Sequence, residues 1–193
     1  MGLFQIKPDI HYGANSLDIL RTMEIEKVFL VTDENMVKLK VVNRITNILK
    51  SRGIDAKIYS DVKPDPTDEE IIKGMLELSA YDPDCIIALG GGSPIDACKS
   101  MIYFTNKIKR AMGEYKKPKF IAVPTTSGTG SEVTSYAVVT TQSKKIPLSD
   151  SEMLPDIAIL NPEFIKTLPP SIIADTGMDV LTHAIEAYVS KSR

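Results

Sequence analysis

Cysteine is scarce in this chain: Cys85 and Cys98 are the only two among 193 residues, and their spacing makes no C-x-x-C pair. A disulfide-stapled secreted scaffold carries more, so both are read as reduced thiols and the protein as cytoplasmic. Excess charge of either sign is also lacking. The 23 Lys and Arg against 25 Asp and Glu leave a net charge of −2, without the basic surplus that neutralising a phosphate backbone requires, and nucleic acid is not an expected partner. No apolar run approaches the roughly 20 residues that cross a bilayer. The start, "MGLFQIKPDI", has neither the cationic opening nor the long apolar core of a signal peptide, and Ile6 breaks the myristoylation pattern. These absences predict a soluble protein without a membrane partner. Composition is otherwise ordinary, with 43% hydrophobic and 25% charged residues, and a chain of this size buries about 70% of its unfolded surface without help from a metal.

Apolar runs of strand length alternate with segments of helical period, which predicts an α/β fold with a parallel sheet covered by helices. "KVFLVT" (27–32) is expected to be a buried strand. Residues 34–50 place Val37, Val41, Ile45 and Ile48 on one helical stripe, with Gly53 beyond them as a C-terminal cap. "DAKIYS" (55–60) alternates like a strand. Thr67 and Glu70 form a capping box that opens a helix through Ile71, Met75 and Leu78. "CIIAL" (85–89) predicts a strand, followed by three glycines and a helix over 94–104. "KFIAVP" (119–124), "VTSYAVVT" (133–140) and "DIAIL" (156–160) are further expected strands. Beyond "LPP" (168–170) the pattern is helical only, and a domain boundary is expected there, giving an α/β domain over 1–169 and the start of a helical one over 170–193. No internal repeat is present.

"LGGGSPIDACKS" (89–100) sets three glycines between a strand and a helix. Bare backbone there can approach a ligand, and the helix offers unpaired N–H groups and a positive dipole end to a phosphate or pyrophosphate. Ser93 adds a hydroxyl donor, and Pro94 suits the first turn. Neither G-x-G-x-x-G nor a P-loop is matched, since Ile95 occupies the third glycine position and no lysine follows at P-loop spacing. A tight turn that binds nothing is the competing reading. Asp33, closing the strand "VFLVT", has two possible duties: accepting hydrogen bonds from an adenosine ribose while repelling a 2′-phosphate, or capping the next helix. "PTTSGTGSEVTS" (124–135) holds seven hydroxyl residues and two glycines, a composition suited either to wrapping a cofactor or to a plain polar loop.

In "DTGMDVLTHAIEAYVS" (175–190), Asp179 and His183 stand four apart on a predicted helix, close enough to share one cation. An imidazole nitrogen with a carboxylate oxygen suits Zn²⁺ or Fe²⁺, although the same spacing also serves a plain ion pair. Glu186 is an outer partner or a solvated residue.

"ALGGGSPIDACKS", "PTTSGTGSEVTS", "LPDIAILNPEF" and "DTGMDVLTHAIEAYVS", in this order, each resemble a signature of the iron-dependent (group III) alcohol dehydrogenase family, and the resemblance covers essentially the whole chain. It implies a Rossmann-like, dehydroquinate synthase-like domain that binds NAD, followed by an all-helical domain that holds a divalent metal, Fe²⁺ before Zn²⁺. It also implies that Gly91, Gly92, Ser93 and Asp96 lie at the pyrophosphate. Thr125, Thr126, Thr129, Ser131 and Thr134 would line the cofactor toward its nicotinamide, Lys145 would approach the ribose or phosphates, and Asp33 would hold the adenosine ribose and favour NAD over NADP. Asp179 and His183 match the first two metal ligands. Two further histidines complete the family's site, whereas this sequence contains only His11 and His183. The chain is therefore expected to be the N-terminal half of such an enzyme, as a truncated product, an isolated domain or a partial sequence, and to be largely inactive alone. The implied reaction interconverts a primary alcohol and an aldehyde, and the full-length protein is expected to be a homo-oligomer. Glycerol dehydrogenases and dehydroquinate synthases share the fold, but the wording of "TSGTGSEVT" and "DVLTHAIEAY" favours the alcohol dehydrogenases. A non-catalytic nucleotide-binding or assembly module is the alternative of a different class.

Overall fold

The structure, a computed structural model, describes residues 7–113, 115–141, 144–166 and 168–191. Strand β1 (Asp9–Tyr12) leads through a 3-10 turn at Ser16–Arg21 into β2 (Lys27–Asp33). Two short helices follow, α1 (Glu34–Lys38) and α2 (Asn43–Ser51), then β3 (Asp55–Val62), α3 (Asp68–Tyr81), β4 (Cys85–Gly90), α4 (Gly92–Ala111) and β5 (Lys119–Pro124). A hairpin of β6 (Tyr136–Thr141) and β7 (Lys144–Ser149) precedes β8 (Ile157–Leu160), α5 (Pro162–Ile165) and α6 (Pro170–Val189). Six strands form one sheet in the order β1-β8-β5-β4-β2-β3, every neighbouring pair parallel.

Parallel strands covered on both faces must be apolar on both. In β4, Cys85, Ile87 and Leu89 join the cluster beneath α2, while Ile86 and Ala88 join the one beneath α3 and α4. Asp84 fixes the start of β2, its two carboxylate oxygens accepting the N–H groups of Glu26 and Lys27 at 2.9 Å each. Asp156 does the same for β8, accepting the Phe120 N–H at 2.9 Å, while its own N–H donates to the Phe120 carbonyl at 2.8 Å. The Thr67–Glu70 capping box is present, with Asp68 as the first helical residue.

Four local expectations are corrected. The single helix over 34–50 is broken, and Lys40 at the break has φ 57°. In an unbroken helix Met36 and Val41 would point about 140° apart, whereas the break lets both reach the core, at 7% and 6% exposure, and leaves Val37 outside. The helix expected at 94–104 begins at Gly92 and runs on to Ala111. Pro94 is tolerated inside its first turn because N–H groups there have no intrahelical acceptor, and the buried stripe continues through Thr105 and Asn106. The strand expected at 133–140 starts only at Tyr136, since Ser131–Val133 form a 3-10 turn. Its antiparallel partner β7 and the edge strand β1 were not expected at all.

Candidate functional site

The order of the sheet reverses between β2 and β4: the chain leaves β2 toward β3 on one side and β4 toward β5 on the other. Loops diverge at such a point and open a crevice at the carboxyl ends of the strands. Asp33 ends β2 and the three glycines end β4, so both sequence candidates flank this crevice. A register shift between Val31 and Asp33 in the β2–β3 pairing lies just before Asp33.

Gly90 has φ +149°, and a Cβ there would come within 2.5 Å of the Pro94 ring and 3.4 Å of Asp33 Oδ2. Only glycine accommodates this turn. Gly91 is the extended N-cap of α4 and offers no side-chain cap, which leaves the first amides of a 20-residue helix without an acceptor from its cap residue. Behind Gly91 lies Thr126, whose hydroxyl is buried and has no hydrogen-bond partner. A Cβ on Gly91 would meet the Thr126 side chain at 3.3 Å, and one on Gly92 would meet Thr129 at 3.0 Å. Bare amides, an orphaned hydroxyl and a surface that any Cβ would fill suit a pyrophosphate. Asp33 caps α1 through Oδ1, which accepts the N–H groups of Asn35 at 2.8 Å and Met36 at 3.1 Å. Both bonds go to one oxygen, and Oδ2 faces Gly90, so capping leaves the second oxygen for a ribose.

Gly92, Ser93, Asp96, Thr129, Ser131, Thr134, Lys145, Asp179 and His183 all line one cleft of about 730 Å³. Asp33, Gly91, Thr125 and Thr126 stand outside that lining, and Thr125 is 2% exposed with its N–H donated to the Gly90 carbonyl at 2.9 Å. The Asp96 carboxylate is occupied by protein donors: the Ser131 hydroxyl, and the Val138 N–H at 3.0 Å. Burial raises its pKa above the ordinary carboxylate value, opposed first by the Ser131 bond. Lys145 pairs with Asp65 at 2.7 Å on the opposite wall.

The metal candidates sit at one end of the cleft. His183 Nδ1 is 3.3 Å from the Gly128 carbonyl and Nε2 is 3.8 Å from Asp179 Oδ1. A carbonyl only accepts, so Nδ1 carries the proton in this contact, and the imidazole is oriented with Nε2 toward Asp179. The seat for α6 is Gly128 itself, where a Cβ would lie 2.5 Å from the Thr176 carbonyl oxygen and 3.1 Å from Asp179 Oδ2. Among the described residues no group of three or more His, Cys, Asp or Glu could hold a metal. The pair fits a divalent cation as two donors of a larger set and no more.

Three contributors escaped the sequence reading: Gly128, Asp65 and Lys99. Lys99 carried a visible signal, a charge on the apolar stripe four residues after Ile95 and three before Ile102. It is fully buried, and burial lowers its pKa to about 8.

A parallel sheet whose order reverses beside a glycine turn and an open helix N-terminus defines a Rossmann-like α/β domain. The chain belongs to the iron-containing alcohol dehydrogenase family, whose family model matches residues 8–162. It is 40% identical over 200 residues to an NADPH-dependent butanol dehydrogenase of Clostridium saccharobutylicum, an alignment covering 97% of this chain and 52% of that one. Among solved structures, an iron-containing alcohol dehydrogenase from Thermococcus thioreducens superimposes with a TM-score of 0.88 at 30% identity, covering 98% of this chain and 54% of the other. A sulfoacetaldehyde reductase from Bifidobacterium kashiwanohense, in complex with NAD+, does so at 0.82 and 31% identity, covering 99% and 55%. The chain thus spans about half the length of these relatives. No helix among the described residues is long and apolar enough to cross a membrane.

Proposed function

We propose that this chain forms the NAD(H)-binding part of a metal-dependent oxidoreductase that interconverts a primary alcohol and an aldehyde, with the α/β domain ending near residue 169 and α6 opening a helical metal-binding domain. The observation that carries the reading is the uncapped start of α4 at the reversal of the sheet, beside the orphaned Thr126 hydroxyl. The amides of Gly91, Gly92 and Ser93 would hold the pyrophosphate, and Thr129 would line the path toward the nicotinamide. Lys145, now paired to Asp65, would turn to a phosphate or ribose. Asp33 Oδ2 would accept from the adenosine ribose and repel a 2′-phosphate. The relatives leave the choice of cofactor open, since one is named NADPH-dependent and another was solved with NAD+, so the preference for NAD rests on Asp33.

Asp179 and His183 would contribute two ligands, with Gly128 orienting the imidazole. A carboxylate and an imidazole suit Fe²⁺ first and Zn²⁺ second. When bound, a metal would supply Lewis acidity to an alcohol oxygen, and the dinucleotide would supply a hydride acceptor for its carbinol carbon. Two protein ligands alone hold a divalent cation weakly, and the 193-residue chain is expected to bind NADH while turning over alcohol poorly. A homo-oligomer in the cytoplasm is the expected setting of the complete protein. NADH fluorescence titration of the purified chain tests the central reading. Saturable binding that Gly92→Val abolishes supports it, and absence of binding at millimolar NADH overturns it. Robust alcohol turnover by the purified chain with metal supplied would overturn the expectation of low activity.

A further inference from the structure

An ammonium group has three N–H donors, and Lys99 meets three oxygens from the interior of the protein. Its Nζ donates to Ser131 Oγ at 3.1 Å, Thr134 Oγ1 at 3.1 Å and the Tyr136 carbonyl at 2.7 Å. The first two belong to the hydroxyl loop that lines the cleft, and the third opens β6. Ser131 passes the interaction on by donating to Asp96, whose other oxygen accepts the Val138 N–H. One buried cation thus joins α4, the loop and β6 directly behind the cleft wall formed by Asp96, Ser131 and Thr134. An apolar side chain of similar volume would fill the same space but leave the Ser131 and Thr134 hydroxyls and the Tyr136 carbonyl without this donor. Packing alone therefore does not account for a lysine here.

We propose that Lys99 is a positioning residue for the dinucleotide: its charge and its three hydrogen bonds set the Ser131 and Thr134 hydroxyls in the shape that receives the cofactor, and this positioning fails at alkaline pH. The inference rests on the dinucleotide reading given above. The charged and titratable groups that face the ammonium are Asp96 and Cys98 on its own helix and Glu132 on the loop. Cys98 is itself buried, which pushes its thiol up, away from ionisation. Desolvation lowers the Lys99 pKa from 10.5 to about 8. Above that pH the neutral amine keeps two N–H donors for three acceptors, and the positive charge behind an anionic ligand is gone.

Affinity and stability then move in opposite directions. The folded-state pKa is lower than the unfolded one, so the unfolded chain binds the extra proton between about pH 8 and 10.5. Stability from this group accordingly rises with pH through that window, while dinucleotide affinity falls. A lysine that only filled the core would change stability and leave the binding profile flat.

The experiment is NADH fluorescence titration of the whole chain and of Lys99→Met from about pH 6.5 to about pH 9.5, with urea unfolding in parallel. In the unaltered chain the Kd should stay level below about pH 7 and rise toward about tenfold per pH unit above 8, the limit for one linked proton. In K99M the Kd at neutral pH should be at least about tenfold higher and independent of pH, with stability lowered by the three oxygens left without a donor. Equal Kd values and equal profiles in the two proteins would overturn the proposal while leaving the dinucleotide site intact. Failure of the unaltered chain to bind NADH at any pH would remove the dinucleotide reading, and the proposal with it. Should K99M not fold by circular dichroism, Lys99→Gln and the unaltered chain's own profile decide the matter, and a flat Kd between about pH 7 and about pH 9.5 overturns the proposal.

Discussion

At the scale of single residues, Asp33 shows how one carboxylate can serve two ends. Oδ1 caps α1 and Oδ2 faces the glycine turn. The sequence posed these as alternatives, and the geometry makes them compatible. Asn caps a helix about as well as Asp, so Asp33→Asn should leave the melting temperature nearly unchanged while removing a charged hydrogen bond to the ribose, an interaction of about 1.5–3 kcal/mol. The affinity ratio of NADH to NADPH should fall roughly 10- to 100-fold, read by titrating both cofactors. An unchanged ratio would reduce Asp33 to a helix cap. Asp179 and His183 were legible as a pair because helical spacing is printed in the sequence. Gly128 was not, because its role depends on the carbonyl of Thr176, which only the folded chain brings to 2.5 Å from its missing Cβ.

At the scale of elements, legibility followed burial. Strands β2, β4, β5 and β8 sit inside the sheet with both faces covered, so their apolar runs announced them. The edge strand β1 has one half-buried and three exposed residues, and β7 is exposed along most of its length with Pro147 inside it. Neither carries a burial pattern that a sequence could display. The break between α1 and α2 was hidden for a different reason: Val41, Ile45 and Ile48 do keep helical spacing, and only the need to bury Met36 as well forces the turn. The site divides in the same way. Its glycine turn and helix start are local chemistry, whereas the Lys99 network joins α4 to a loop more than thirty residues away. Helix α6 depends on few contacts, since none of its residues is buried. A methyl at Gly128 would strike the α6 backbone, so Gly128→Ala should accelerate amide exchange across α6 and leave protection in β4 and β5 as it was. Equal exchange rates in α6 would show that Gly128 does not seat the helix.

At the scale of the whole molecule, α6 also governs behaviour in solution. Val180 is 46% exposed, Leu181 51% and Ile185 55%, along with Met178 at 62%. Exposed apolar side chains of this kind promote association, and a net charge of −2 offers little repulsion against it. Sedimentation velocity should show a mass that grows with concentration, and Leu181→Glu combined with Ile185→Glu should return the chain toward a monomer. Monomeric behaviour of the unaltered protein at high concentration would refute this. The order of the sheet has a consequence during synthesis as well. Asp9 lies opposite Ile157, and β8 is inserted between β1 and β5. Strand β1 therefore leaves a ribosome long before β8 and waits for the rest of the sheet before it gains a neighbour. Until β8 arrives the open side of β5 has no partner, so a nascent polypeptide stalled short of residue 157 carries a raw hydrogen-bonding edge, the kind of surface on which chaperones and aggregation compete.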